Sequence, residues 1–261
     1  MPSARDQDRT ILERAVLERE VEQLVSTAER AGLTVRALGS LAVSIHCAAA
    51  RSLIPSFSRT YADIDLIGYR REGRELAAAF VDLGYLEDRE ISITSEGYRS
   101  IFFDPVRGIH VDVFFDRLQF CHMIPIDGRL TIDRPTLPLA ELLLSKLQIV
   151  RINEKDVVDI VLLLLDHPLG EGDHETIDLA RIARLCSEEW GLWRTLTMNL
   201  EKVGPLAAGY SQLSARERQL VGAAATAVKA AIDRAPKPFA WRMRDRIGDR
   251  RQWWTDVDEV R

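Results

Sequence analysis

The sequence predicts an α+β fold: a small mixed sheet with flanking helices, followed by a helical domain. Three observations carry this. Short β-patterned runs alternate with helical ones up to about residue 135. The segment Pro135 to Pro138 interrupts the chain, and beyond it every periodic stretch is helical. Within the first part, Asp63-Ile64-Asp65 places two carboxylates at alternate positions of a strand, on one face, with apolar neighbours turned to the other. The expected boundaries are an α/β domain over 1–135 and a helical domain over 136–261.

Composition sets the frame. The chain has 261 residues, 46% hydrophobic and 29% charged, which gives room for a sizeable core. A net charge of −5 argues against a protein that coats nucleic acid over its whole surface. No apolar run is long enough to span a bilayer, and the polar start, Met1 to Thr10, lacks a signal-peptide core. Cys47, Cys121 and Cys186 lack metal-ligand spacing and read as reduced thiols. The expected setting is cytoplasmic, with no membrane partner.

In order, Ile11 to Ala31 carries Val16, Val21, Leu24, Val25 and Ala28 at helical spacing, and Gly32 closes it. Thr34 to Leu38 reads as a strand and Gly39-Ser40 as a turn. Ser40 is the expected N-cap of a helix running from Leu41 to Ala50. Such a helix start offers N–H groups and a positive dipole end to a phosphate. A loop with Pro55 and Arg59 leads to the strand Ile64 to Tyr69, then a helix from Gly73 to about Leu83. Gly97–Asp104 and Ile109–Phe115 form a hairpin, with Asp112 among apolar neighbours in its second strand. His46 and His110 lie near these motifs and read as ordinary partly buried histidines. Helices are expected over Leu139–Ile152, Glu154–Leu165, Thr176–Ser187, Trp190–Val203 and Ser214–Arg234. The arginine-rich tail with Trp241, Trp253 and Trp254 suits either packing on these helices or stacking against RNA bases.

Four pieces occur in order: Gly39-Ser40 at a helix start, Asp63-Ile64-Asp65 on a strand, Asp112 on a neighbouring strand, and Lys146 … Lys155-Asp156-Val157-Val158-Asp159. Together, over Leu38 to Leu165, they resemble the DNA-polymerase-β-like nucleotidyltransferases. The closest branch holds the AbiEii/MenT-type nucleotidyltransferase toxins and antibiotic nucleotidyltransferases. The resemblance implies transfer of an NMP from an NTP to a hydroxyl of a tRNA-type RNA or a small molecule, and a toxin with an antitoxin partner. It implies Mg²⁺, or Mn²⁺ in its place, held by Asp63, Asp65 and Asp112. Asp63, Asp65, Asp112 and Lys146 are the implied catalytic residues, and Gly39, Ser40, Arg59, Lys146 and Asp159 the nucleotide-binding ones. The alternative is a catalytically silent nucleotide-binding or interaction module on the same fold.

Overall fold

The computed structural model describes residues 13–53, 61 and 63–256. They divide into two compact units. The first takes in the described residues of Met1–Ile45, Thr60–Leu118 and Pro125–Leu137, the second those of His46–Arg59, Gln119–Ile124 and Pro138–Arg261. Each unit is therefore assembled from segments that are not contiguous in sequence. The architecture is α+β, with a mixed five-stranded sheet and many helices.

The first unit opens with α1 (Arg14–Arg30), which buries Leu17, Val21, Leu24, Val25 and Ala28. Gly32, at φ +73°, ends it, and the Leu33 N–H returns to the Ala28 carbonyl. β1 (Val35–Leu38) follows, then α2 (Gly39–His46), β2 (Asp63–Gly68) and α3 (Gly73–Asp82). β3 (Leu86–Asp88) and a short α4 (Arg89–Thr94) were not legible as separate elements. β4 (Arg99–Asp104) and β5 (Ile109–Phe115) form the expected antiparallel hairpin.

The strand order is β1-β2-β5-β4-β3. β2 and β5 run parallel at the centre, and the other three pairings are antiparallel. Ile64, Leu66, Val111, Val113 and Phe102 are almost wholly buried. Phe80 of α3 meets Phe102 edge-on at 5.3 Å between ring centroids, so α3 covers that face of the sheet. Deep in this layer Glu20 of α1 accepts the Tyr85 hydroxyl proton at 2.7 Å and is also paired with Arg107. A buried carboxylate is tolerated because its oxygens are met by these donors.

In the second unit, α5 (Leu139–Leu147) and α6 (Glu154–Asp166) pack together. α7 (Leu179–Glu188), α8 (Trp190–Ala208), α9 (Ala215–Arg234) and α10 (Phe239–Ile247) complete the helices. α8 and α9 form the most extensive helix pair. α9 begins at a capping box in which Ser214 and Glu217 satisfy each other's backbone N–H groups. The segment around His122 belongs here through two bonds. Its N–H donates to Gln148 Oε1, and its ring bonds Thr195 Oγ1 at 2.8 Å.

The tail packs on these helices. Trp241 is 8% exposed and donates its indole N–H to the Cys186 carbonyl. Trp253 donates to Thr195 Oγ1. Trp241 is therefore spent on the protein's own packing and is not offered to a base. Among the described residues no helix is long and apolar enough to cross a membrane.

Candidate functional site

Asp63 and Asp65 lie on β2 with the burial alternation the sequence predicts: both are half-buried, while Ile64 and Leu66 are fully buried. The parallel register sets Asp65 directly beside Asp112 of β5, and Asp63 beside His110. Residues in register on neighbouring strands share a face. Asp63, Asp65 and Asp112 therefore line one face of the two central strands, opposite the face that α3 covers. β2 and β5 are interior strands, so the aspartates lie away from the sheet's outer strands.

Gly39 explains itself at Asp65. Its φ is +74°, and a Cβ built there would lie 2.2 Å from Asp65 Oδ2 and 3.2 Å from its Cγ. Only a residue with no side chain lets the backbone pass so close to that carboxylate. β1 pairs antiparallel with β2, with Leu38 opposite Asp65, and this brings the start of α2 to the aspartates. The helix starts at Gly39 itself, so Ser40 sits in its first turn and is not the residue preceding it. α2 also ends at His46, short of the expected Ala50.

Arg99 is the residue that sequence reasoning missed. It reaches from β4 to Asp112, with Nε 2.9 Å from Oδ1 and Nη2 2.5 Å from Oδ2. The hydrogen bond to Asp112 and the charges of Asp112 and Asp65 hold the Arg99 guanidinium above its ordinary pKa, against the opposing effect of burial. Its signal was the hairpin register, which pairs Arg99 with Phe114 and Ile101 with Asp112. His110 is buried at 8% exposure, and its ring lies tilted against that of Phe103 at 4.6 Å between centroids.

Lys146 and Asp159 belong to the second unit. Lys146 Nζ lies 2.9 Å from Asp159 Oδ2 and 3.4 Å from Asp156 Oδ1. Asp159 is 1% exposed, so the network is an internal one between α5 and α6, while Lys155 is exposed. Asp159 is placed to hold Lys146 and not to meet solvent. Arg59 lies outside the described residues. Comparison of the chain with protein-family models, curated proteins and solved structures gives no match.

Proposed function

We propose that the chain is a nucleotidyltransferase that moves an NMP from an NTP to a hydroxyl acceptor. One observation carries this: three aspartates gathered on one face of two parallel strands, with a glycine helix start pressed against Asp65. The donor set suits a hard divalent cation, since it offers carboxylate oxygens only. Mg²⁺, or Mn²⁺ in its place, would be held by Asp63, Asp65 and Asp112 once their carboxylates, which do not all lie within 4.8 Å of one another, close around it, and would neutralise charge on the phosphate oxygens. The backbone N–H groups of the first turn, at Gly39 and Ser40, are suited to donate hydrogen bonds to the phosphates of the NTP. Asp112 is suited to take the proton of the attacking hydroxyl once its pair with Arg99 opens. A nucleotide-binding role for Lys146 and Arg59 follows from the resemblance alone. An RNA acceptor of tRNA type and a hydroxylated small molecule are the two acceptor classes. A toxin role, with an antitoxin protein as partner, follows from the resemblance alone.

The silent-module reading has one observation in its favour: Asp112 is engaged by a two-point contact with Arg99, as a structural carboxylate would be. The test is transfer of labelled NMP from each NTP with Mg²⁺, to total RNA and to a panel of hydroxylated small molecules. Wild type transfers and Asp65→Asn does not, while both keep the same far-UV circular dichroism. Retained transfer by Asp65→Asn refutes the site. No transfer by wild type to any acceptor, with nucleotide still bound, establishes the silent module.

A further inference from the structure

We propose a second metal site, for Zn²⁺, built by Cys47, Asp166 and His167. Their ligand atoms, one from each residue, all lie within 4.8 Å of one another, and among the described residues this is the set of three that does so. The three aspartates of the sheet are not such a set. Cys47 follows the end of α2, and Asp166 and His167 are the last residue and C-cap of α6. All three belong to the second unit.

The donor types are a thiolate, an imidazole and a carboxylate. That mixture suits Zn²⁺ and does not suit Mg²⁺, which takes oxygen ligands only. One thiolate and one carboxylate also balance the ion's two positive charges. Two features of the surroundings resemble the support of a metal site more than a chance meeting of side chains. Asp166 is held by the loop itself: Oδ2 accepts from the Ala49 N–H at 3.0 Å and Oδ1 from the Ala50 N–H at 3.2 Å. Each carboxylate oxygen keeps a second lone pair for a ligand bond.

His167 supplies the independent observation. Its side chain is 5% exposed. Its Nε2 is buried and, among the described residues, has no hydrogen-bond partner. Its Nδ1 lies 3.9 Å from Glu175 Oε2. A metal-binding histidine likewise keeps one ring nitrogen open to the ion. A clamp of Asp166 on the loop accounts for the carboxylate alone. It leaves a buried imidazole nitrogen unsatisfied beside a buried thiol. Three protein ligands leave a fourth position for water, and the His46 ring lies 5.7 Å from that of His167.

The experiment uses the full chain, stripped with chelator and loaded with Zn²⁺ or Co²⁺. The expected result is one Zn²⁺ per chain by elemental analysis and a rise in melting temperature on loading. Co²⁺ should give a thiolate-to-metal charge-transfer band. Cys47→Ser should lose that band, and His167→Gln should weaken Zn²⁺ binding by at least the order of 10- to 100-fold typical of disturbed metal sites. Asp65→Asn should change neither stoichiometry nor band, which separates this site from the sheet aspartates. Absence of Zn²⁺ binding by wild type overturns the proposal. So does a Co²⁺ band that survives Cys47→Ser, because Cys121 or Cys186 would then be the ligand. Should Cys47→Ser not fold, His167→Gln and the wild-type melting shift decide alone.

Discussion

Gly39→Ala is the sharpest perturbation the first unit offers. Two costs are separable. Placing an L-residue at φ +74° costs about 1–2 kcal/mol, because Cβ crowds the following carbonyl oxygen. The second cost is the collision with Asp65. At 2.2 Å from Oδ2 the new methyl cannot be accommodated by a small shift, and Cγ and Cβ of Asp65 stand at only 3.2 and 3.3 Å. The whole side chain must turn, at a cost of about 1–3 kcal/mol typical of overpacking. Gly39→Ala should therefore lose about 2–5 kcal/mol in total. Most small domains have enough stability to remain measurable after such a loss. Urea denaturation of Gly39→Ala, Asp65→Ala and the double variant separates the two costs. Removing the carboxylate relieves the collision but not the backbone strain, so the singles and the double should be coupled by about 1–3 kcal/mol. Because Asp65 must move, Gly39→Ala should also lose NMP transfer. Additivity within about 0.5 kcal/mol would refute the argument that Gly39 is glycine on account of Asp65.

Lys146→Met removes the cation paired with buried Asp159 and should cost about 3–5 kcal/mol by denaturant unfolding. A loss under about 1 kcal/mol, with transfer abolished, would make the lysine a substrate contact and not a structural counterion. Asp104 is desolvated, which raises its pKa. The side-chain and backbone donors of Arg107 and the Val106 N–H outweigh this and hold it below the ordinary carboxylate value of 3.8. The stability it contributes is complete above that unfolded value and is lost as pH falls through the lower folded one. Asp104→Asn should thus be less stable than wild type near neutrality and lose less between neutral and acid pH, as read from urea midpoints across that range. Ser214→Ala removes half of the α9 capping box and should lose about 1 kcal/mol. An unchanged melting temperature would show that the box is not maintained in solution.

The sequence by itself determined what depends on local backbone geometry. The alternation in Asp63-Ile64-Asp65 put both carboxylates on one face because strand side chains alternate whatever the partner strand is. The Gly32 stop, the hairpin between β4 and β5 and the order of the later helices were legible for the same reason. Each is decided within a few residues. Register between distant segments was not legible. The pairing of Asp65 with Asp112 and the central place of β2 and β5 depend on which apolar faces α1 and α3 cover. The same holds for Lys146, whose partners come from a neighbouring helix, and for Trp241, which has the composition of a nucleic-acid contact but lies in the core of its unit. Cys47 shows the limit most plainly. No spacing rule links it to Asp166 and His167, because only packing of the segment after α2 against the end of α6 brings thiol, carboxylate and imidazole together.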